Sequence, residues 1–430
     1  MTMASVDDTA SEQTAGDQRA GLPRLLPLVP GVPEDLSAHL ARYGRPPRGD
    51  QSLIQAVEQA GLTGRGGAAF PVARKLAIVA RARGRTIMVA NGAESEPASH
   101  KDAVLLRAAP NLVLDGLQLA AEAIGATEAH LYLHAGVSPQ LARALDQRRA
   151  AGLDPFPVKI TEAPPRFLAG QESALVNRLA GGPAVPTFVP PRVTERGLDG
   201  APTLVQNVET LAHLALIARY GPRWFRGAGT EREPGSMLAT VHTTSNMQVV
   251  EAEIGAPLRT LISPEGAQAV LLGGYHGTWL PADAISTLTL DNETLKTHGA
   301  AVGAGVIAAL PADRCGVAEA ARVARYLAAE SAGQCGPCLN GLPRMAAGLA
   351  ELAGAGHRKQ VRADLERWAG LVTGRGACGH PDGTARFVRS ALTAFAPETA
   401  RHARGHCSAT NRTPFLPLPD LMPVSEEDWI

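Results

Sequence analysis

The chain has 430 residues, of which 45% are hydrophobic, and its 41 basic and 41 acidic residues cancel. This length is too great for one ordinary core and predicts two to four domains. The balanced charge, with no basic stripe interleaved with aromatic residues, argues against a nucleic-acid partner. The polar start lacks a signal-peptide pattern, and no apolar run is long enough to span a bilayer, so we expect a cytoplasmic protein without direct membrane insertion.

The first half of the chain alternates between strand and helix patterns. The polar, acidic start predicts a disordered tail, placed at residues 1–33, and residues 34–232 follow as an α/β domain. Apolar runs at 86–91, 130–135 and 158–163 are each followed by an amphipathic stretch, which predicts a parallel sheet covered by helices. Ligands of such sheets bind at the carboxyl ends of the strands.

The second half changes character twice. Residues 233–312 show short strands separated by glycine turns and predict a small β-rich domain. Residues 313–407 read as four helices with short connections, which predicts a helical bundle, and 408–430 as a C-terminal tail. The cysteines fall near the ends of these helices, where ends of different helices can converge.

The first candidate site is the glycine-rich segment 61–75, GLTGRGGAAFPVARK. Small residues let a backbone approach a ligand closely, and its exposed N–H groups can bind phosphate or a flavin ring. Arg65 and Lys75 add positive charge for a phosphate or a reduced, anionic flavin. The segment lacks the GxGxxG spacing, and a glycine-rich turn without a ligand remains the alternative.

The second candidate site is NGAESEPASHKD at 91–102, which starts where the first strand of the sheet ends. Asn91, Glu94, Ser95 and Glu96 can hydrogen-bond to ribityl and ribose hydroxyls, as acidic residues do in other nucleotide sites. The alternative is a solvated acidic loop that caps the next helix.

The third candidate site is a set of cysteines. Cys335 and Cys338 form a C-x2-C pair, and Cys378 lies downstream in RGACGHPDG. In a chain of this kind such cysteines are typical of metal binding, with His380 as a possible nitrogen ligand. Three buried, reduced cysteines are the alternative. Cys315 and Cys407 stand alone in the sequence and are interpreted as structural or incidental.

Taken in order, five segments resemble the flavin-bearing, NADH-oxidising (51 kDa type) subunit of respiratory complex I and its counterparts in NAD-linked hydrogenases and formate dehydrogenases. The segments are GRGGAAFP, NGAESEPASHKD, GQESAL, PTLVQNVET and ESAGQCGPC, spread between about residues 50 and 400. The resemblance implies an α/β fold with a parallel-sheet flavin domain, a small ubiquitin-like β domain of the soluble-ligand-binding type and a C-terminal helical bundle with an iron–sulfur cluster.

The resemblance also implies roles for individual residues. Phe70, Glu96 and Glu172 would face NAD(H), and Cys335, Cys338 and Cys378 would bind a 4Fe-4S or 3Fe-4S cluster. The cofactor shell, for FMN and the dinucleotide together, comprises Gly64, Arg65, Gly66, Gly67, Phe70, Lys75, Asn91, Glu94, Ser95, Glu96, Gly170, Gln171, Glu172, Gln206, Asn207 and Thr210.

The chain departs from the family pattern in both the dinucleotide shell and the cluster. Ala93, Gln171 and Gln206 replace an aspartate, a glutamate and an asparagine. Ile78 and Arg192 stand where the family has stacking rings, each of which is worth about 1–3 kcal/mol elsewhere. The sharpest departure is Ala332, which replaces the first cysteine of the cluster motif.

The sequence therefore predicts an FMN-dependent oxidoreductase or electron-transfer subunit. Electrons would pass from NAD(P)H through FMN to an iron–sulfur cluster and on to a ferredoxin-like or other redox partner protein. Two alternatives remain open. One is a non-catalytic flavin-binding or assembly subunit that has lost NADH oxidation, and the other is a zinc site built from Cys335, Cys338, Cys378 and His380.

Overall fold

A computed structural model describes residues 21–29, 31–420 and 426–430. Most of the predicted N-terminal tail, residues 1–20, lies outside these ranges. Part of the remainder is packed against the protein. Leu25 is fully buried, and the backbone N–H groups of Arg24, Leu25 and Leu26 donate to the Glu251 carboxylate over 2.9–3.3 Å. Residues 24–26 are therefore ordered, which the polar composition of the start did not indicate.

The first half of the chain contains a four-stranded, all-parallel sheet in the order β3-β2-β1-β4. Its strands are β1 Ile87–Gly92, β2 Glu128–Leu133, β3 Val158–Glu162 and β4 Thr203–Asn207. The three predicted strands are confirmed. Pairing with β1 defines β4, which the sequence pattern does not identify as a strand. Its addition at the edge brings the ends of β1 and β4 side by side.

In the described part of the chain, eight α-helices lie before, between and after these strands. They are α1 Leu36–Tyr43, α2 Gln51–Ala60, α3 Val72–Ala80, α4 Lys101–Ala108, α5 Pro110–Ala123, α6 Ser138–Ala150, α7 Glu172–Leu179 and α8 Val208–Phe225. Polar side chains cap the N-termini of two of these helices. The Gln171 side chain accepts hydrogen bonds from the second and third backbone N–H groups of α7, and the Asn207 side chain accepts one from the Glu209 N–H of α8. Both caps lie at the carboxyl edge of the sheet, so the helices begin where a ligand is expected.

A second, five-stranded sheet follows in the order β6-β5-β9-β7-β8. Its strands are β5 Ser236–His242, β6 Met247–Glu253, β7 Ala267–Leu272, β8 Thr278–Pro281 and β9 Val306–Pro311, with short helices α9 Leu258–Leu261 and α10 Asn292–Lys296. The pair β5–β9 is parallel and the other pairs are antiparallel. The predicted β-rich character of this region is confirmed.

The last part of the chain is helical. It contains α11 Gly316–Ala329, α12 Leu342–Ala353, α13 Val361–Val372, α14 His380–Ala394 and α15 Ala396–His402, with a π turn at Pro337–Gly341. The apolar faces of α11, α12, α13 and α14 share one core with Leu271 of β7 and Ala308 of β9. The α/β fold class with a parallel sheet and a C-terminal helical region is thus confirmed. The exact domain boundaries stay a prediction.

Among the described helices, none combines the length and the apolar character that crossing a membrane requires.

Candidate functional site

A cavity of about 800 Å³ opens at the carboxyl edge of the parallel sheet. The loops after β1 and β3, the glycine turn before α3, the glycine turns of the second sheet and the start of α14 all contribute to its lining. Nine predicted cofactor residues line it: Gly66, Gly67, Asn91, Glu94, Ser95, Glu96, Gly170, Gln171 and Asn207. Seven others lie outside the lining: Gly64, Arg65, Phe70, Lys75, Glu172, Gln206 and Thr210.

The glycine turn forms one wall of the cavity. The Gly64 N–H donates to the Phe70 carbonyl over 2.9 Å and closes the turn. Gly67 has a φ of 97°, which L side chains rarely adopt, and a Cβ on Gly66 would lie only 3.3 Å from the Asn207 side chain. The turn therefore presents bare backbone to the cavity, which suits close approach by a flat or phosphorylated ligand.

Arg65 supports this turn from behind. Its guanidinium donates to the carbonyls of Ser236, Pro234 and Thr63 over 2.9–3.3 Å, and its N–H donates to the Thr210 hydroxyl. Burial lowers the pKa of Arg65. The guanidinium is bound to protein carbonyls, so it does not point toward a phosphate in the cavity as the sequence led us to expect.

Lys75 and Glu172 lie beside the cavity as a pair. Their Nζ and Oε1 atoms are 2.5 Å apart, and Lys75 also donates to the Val205 carbonyl over 3.0 Å. Lys75 is thus already neutralised in this structure. Its predicted role toward a phosphate or a reduced flavin stays a prediction.

Asn91 and Ser95 tie the loop after β1 to the loop before α7. Asn91 Nδ2 donates to the Gly170 carbonyl over 2.8 Å, and the Gly170 N–H donates to Ser95 Oγ over 2.9 Å. A Cβ on Gly170 would lie 2.7 Å from both Ser95 Oγ and the Ala93 carbonyl. Only glycine fits there, so these two motifs, separated in sequence, form one structural unit.

Glu94 and Glu96 bring two carboxyl groups into the lining, and both are partly buried. Glu94 accepts from Ser99 Oγ over 2.6 Å and from two N–H groups that open α4. Glu96 accepts from the Tyr275 N–H over 2.8 Å. Burial, joined by the Asp102 charge in the case of Glu94, raises the pKa of each carboxyl to about 7. At neutral pH each can therefore hold or release a proton.

Lys101 and Asp102 also line the cavity, although the sequence analysis assigned them no role. Lys101 Nζ lies 2.6 Å from Asp102 Oδ1 and 2.9 Å from Glu209 Oε2, and Asn207 donates to Asp102 Oδ2 over 2.6 Å. All four side chains are buried or nearly so. In the sequence, Lys101 and Asp102 are recognisable only as the adjacent Lys–Asp pair that ends the second motif. Their partners Asn207 and Glu209 lie more than 100 residues further along the chain, so the sequence does not indicate this cluster.

Two glycine turns of the second sheet form the opposite wall. Gly273 has a φ of 89°, and Gly303 has a φ of 55°, so both adopt conformations that favour glycine. A Cβ on Gly303 would lie 2.5 Å from the Gly273 carbonyl. The sequence did not predict these turns as part of the site, because short glycine turns occur throughout the chain. A Cβ on Gly67 would lie 3.6 Å from Gly303, so the glycine turn before α3 lies against these turns.

The three predicted cluster cysteines come from two segments. Cys335 and Cys338 lie between α11 and α12, and Cys378 lies two residues before α14, where it lines the cavity. Cys338 is in electrostatic contact with both other thiols and in hydrogen-bonding range of Ser331, and burial raises its pKa to about 12. The chain thus gathers three thiols at one end of the bundle, with Ala332 nearby in the same connection.

His380 is engaged elsewhere. Its Nε2 donates to the Leu327 carbonyl over 2.8 Å, and its Nδ1 accepts from His276 Nε2 over 3.0 Å. Burial lowers the pKa of His380 to about 4. With both ring nitrogens in use, the structure does not support the zinc alternative built on Cys335, Cys338, Cys378 and His380.

Cys315 and Cys407, which stand alone in the sequence, are brought together by the fold, and their interpretation as structural or incidental stays a prediction. The fold brings their thiols together with Glu398 and His402, so that all four ligand atoms lie within 4.8 Å of one another. Sequence spacing gave no signal, because Cys315 precedes His402 by 87 residues and the chain reverses direction between them.

Comparison with known proteins adds an independent line of evidence. Residues 57–216 match the Nuo51 FMN-binding domain, and residues 318–402 match the NADH-ubiquinone oxidoreductase-F iron-sulfur binding region. The F subunit of NADH-quinone oxidoreductase in Streptomyces coelicolor is 30% identical over 378 residues, which cover 82% of this chain and 83% of that protein. The chain belongs to the family of NADH-quinone oxidoreductase F subunits.

Other members and structures agree with this assignment. The F 2 subunit of NADH-quinone oxidoreductase in Rhizobium meliloti is 29% identical over 375 residues, which cover 81% of this chain and 88% of that protein. A crystal structure of NAD+-reducing [NiFe]-hydrogenase in the H2-reduced state matches with a TM-score of 0.76 and 30% identity over 83% of this chain. This chain spans 63% of that hydrogenase chain. The predicted family is therefore confirmed, with both its flavin and its iron–sulfur regions present.

Proposed function

We propose that this chain is the electron-entry subunit of a larger redox complex, oxidising NAD(P)H with FMN and passing electrons through an iron–sulfur cluster to a partner protein. One observation carries the proposal. A single cavity is lined at one side by Gly66, Gly67 and Glu96 of the sheet edge and at the other by Cys378 of the bundle. A flavin in this cavity would lie beside the segment that holds a cluster ligand.

The cavity fits FMN in size and in chemistry. Its volume of about 800 Å³ is in the range of cofactor sites. The glycine turn offers backbone N–H groups to phosphate or ring, and Asn91, Ser95 and Asn207 offer polar side chains to hydroxyl groups.

When bound, FMN supplies the conversion between a two-electron hydride donor and one-electron carriers. The chain's own contribution is binding, orientation and proton handling. Glu96 has a pKa of about 7 and lines the cavity, with Oε2 fixed by the Tyr275 N–H. Its carboxyl can therefore hold a proton for a reacting ring or release one to solvent near neutral pH.

Cys335, Cys338 and Cys378 would hold the cluster, which supplies one-electron transfer. Cys338 lies in hydrogen-bonding range of Cys335 and in electrostatic contact with Cys378, so the three thiols are near one another. With Ala332 in place of a cysteine, the site provides three protein ligands and suits a 3Fe-4S cluster or a 4Fe-4S cluster with one non-cysteine ligand.

The redox partner is proposed to be a ferredoxin-like or similar protein, because the relatives are named as subunits rather than complete enzymes. We further propose a reducing, cytoplasmic location. All five cysteines are free in the structure, which is typical of proteins that stay in a reducing compartment.

A second candidate function is a flavin-binding subunit that no longer oxidises NADH. It is favoured by the dinucleotide shell, in which Ile78 is 41% exposed and Arg192 is exposed, so neither position offers a ring for stacking. Phe70 remains, with the Arg74 guanidinium 5.8 Å from its ring centre. One stacking ring in place of several would weaken dinucleotide binding without affecting the flavin cavity.

One anaerobic experiment separates these functions. The chain is purified with iron and riboflavin supplied, and its visible spectrum is recorded before and after mixing with NADH or NADPH in a stopped-flow instrument. Bleaching of bound flavin supports electron entry, whereas bound flavin that neither nucleotide bleaches favours the non-catalytic subunit. Colourless protein that takes up no added FMN would refute both. Iron and sulfide analysis with a paramagnetic signal in one redox state reports the cluster separately.

A further inference from the structure

Four side chains outside the flavin cavity form a compact set at the far end of the bundle. Cys315 precedes α11, Glu398 and His402 belong to α15, and Cys407 lies in the segment that follows α15. Their ligand atoms, one from each residue, all lie within 4.8 Å of one another. Thiol, imidazole and carboxylate groups at this spacing are the donors that zinc takes in proteins.

The imidazole of His402 is oriented as a metal ligand is. It is buried, and its Nδ1–H donates to the Leu352 carbonyl over 3.0 Å. This bond fixes the tautomer and leaves the Nε2 lone pair pointing at the set, 3.6 Å from Cys315 Sγ and 3.2 Å from Glu398 Oε1. A backbone carbonyl behind a ligating histidine is the usual outer contact of such sites.

The other three groups are held in place around that lone pair. Glu398 lies one turn before His402, so both project from one face of α15. The Glu398 carboxylate is fixed by the Ser408 N–H over 2.7 Å and by Arg401 over 3.0 Å. Cys407 lies in hydrogen-bonding range of Cys315 and of Glu398.

An adjoining cavity of about 490 Å³ gives access to the set. Cys315, His402 and Cys407 all line it, and Cys407 is exposed. An ion can therefore reach the ligands from solvent without unfolding the bundle. Arg314, Arg322 and Arg412 also line this cavity and would balance the net negative charge of two thiolates and a carboxylate around a divalent cation.

We propose that Cys315, Glu398, His402 and Cys407 bind one Zn²⁺ ion in a tetrahedral structural site. On binding, the two thiols release their protons to solvent and their sulfur atoms coordinate the metal, together with His402 Nε2 and a Glu398 oxygen. All four positions are filled by protein, so the ion has a structural and not a catalytic role.

The ion would clamp the segment after α15 to the start of α11. That segment already docks there, because the N–H groups of Thr410 and Asn411 both donate to the Asp313 carbonyl over 3.0 Å. Further on, the Leu416 N–H donates to Glu319 over 2.7 Å. These contacts hold both sides of Cys315 and leave the thiols facing each other, so metal binding completes an existing attachment.

This site is separate from the predicted cluster. The 14 residues of α11 extend over roughly 21 Å at 1.5 Å per residue, with Cys315 before the first and Ser331 beyond the last. The two metal sites would therefore lie at opposite ends of α11. The alternative to a metal site is a disulfide between Cys315 and Cys407. A disulfide would not explain why His402 and Glu398 are oriented toward the two thiols.

The test measures zinc and iron in the intact, flavin-loaded protein by inductively coupled plasma mass spectrometry. We expect about one zinc per chain in the unaltered protein, and a reduction of about ten-fold or more in Cys407→Ser and in His402→Gln, with iron and flavin unchanged. His406→Gln is the matched control, since His406 is exposed and adjacent to Cys407 but outside the set, and it should keep its zinc.

Two further measurements keep the proposal testable if a variant folds poorly. Replacing zinc by Co²⁺ in the unaltered protein should give the intense visible bands of a tetrahedral thiolate site. Removing zinc with a chelator should expose the segment 403–412 to limited proteolysis. Zinc that persists in Cys407→Ser, no metal uptake by the unaltered protein, or a Cys315–Cys407 disulfide in anaerobically purified protein would each overturn the proposal.

Discussion

Lys101 offers the most direct test of the energetics of the flavin cavity. Its side chain is 4% exposed and lies between the carboxylates of Asp102 and Glu209, which are 7% and 0% exposed. Lys101→Met keeps most of the aliphatic length and removes the charge. The two carboxylates then remain buried with no cation between them. We expect the free energy of unfolding to fall by about 3–5 kcal/mol, as when one partner of a buried ion pair is removed.

The size of this loss should depend on pH. Burial raises the pKa of Glu209 even with Lys101 present, and Lys101 lowers it. Without Lys101 that pKa rises further, and each unit is worth about 1.4 kcal/mol. A carboxyl whose folded pKa exceeds its unfolded value binds more protons in the folded state, so stability falls as pH rises from the unfolded to the folded pKa. The destabilisation should therefore be small near pH 5 and largest near pH 8.

The assay is urea unfolding of the flavin-free protein, followed by tryptophan fluorescence at about pH 5.5 and about pH 8. Arg149→Met is the matched control, because Arg149 and Asp146 form an ion pair with 81% and 69% exposed side chains, and the loss there should be below about 1 kcal/mol. Adding Glu209→Gln to Lys101→Met should recover part of the loss. A loss below about 1 kcal/mol at pH 8, or one that does not grow with pH, would refute the reasoning.

Three further predictions follow from the cavity and the cluster. Ala332→Cys supplies a fourth thiolate and should increase the iron retained per chain after exposure to air; equal iron in both proteins would contradict a three-ligand site. Glu96→Gln should lessen the drop in melting temperature of flavin-free protein between about pH 5 and pH 7.5, because Glu96 with a pKa of about 7 destabilises the fold as it ionises; an unchanged drop would contradict this. Gly273→Ala should weaken FMN binding, measured by quenching of flavin fluorescence, about ten-fold or more, because its Cβ would lie 2.8 Å from the Ala301 carbonyl at a φ of 89°. Gly266→Ala, also at positive φ but with open space, should bind FMN normally.

The sequence was sufficient for the parts of the fold in which apolar residues cluster locally. Strands β1 to β3 are apolar runs next to amphipathic helices, and period and composition identify them. Strand β4 is five residues long and follows a loop rich in glycine and proline, so only its pairing with β1 defines it. Strand β6 is an edge strand with mostly exposed or half-exposed residues, and it carries little hydrophobic signal.

The candidate site was predictable in position but not in side-chain direction. Motifs at strand ends must meet at one edge of a parallel sheet, and nine of the predicted residues line one cavity there. The orientation of the Arg65 side chain could not be predicted from the sequence. Its guanidinium bonds to carbonyls 169 and 171 residues away, and nothing in the local sequence identifies those partners.

The missing cysteine at position 332 can be understood through the contacts that flank it. Glu330, two residues earlier, accepts from the Phe167 N–H over 2.8 Å and lies 3.2 Å from the Arg166 guanidinium. His380 holds the Leu327 carbonyl at the end of α11. None of these contacts involves a cysteine.

The connection that carries Ala332 therefore depends on the loop after β3 and on α14 for its position, and not on a metal ligand at 332. We therefore expect the residue at 332 to affect how firmly a cluster is held and to leave the position of Cys378 at the cavity unchanged. This is why a single cysteine restored at 332 is expected to act on iron retention, with little effect on folding or on flavin binding.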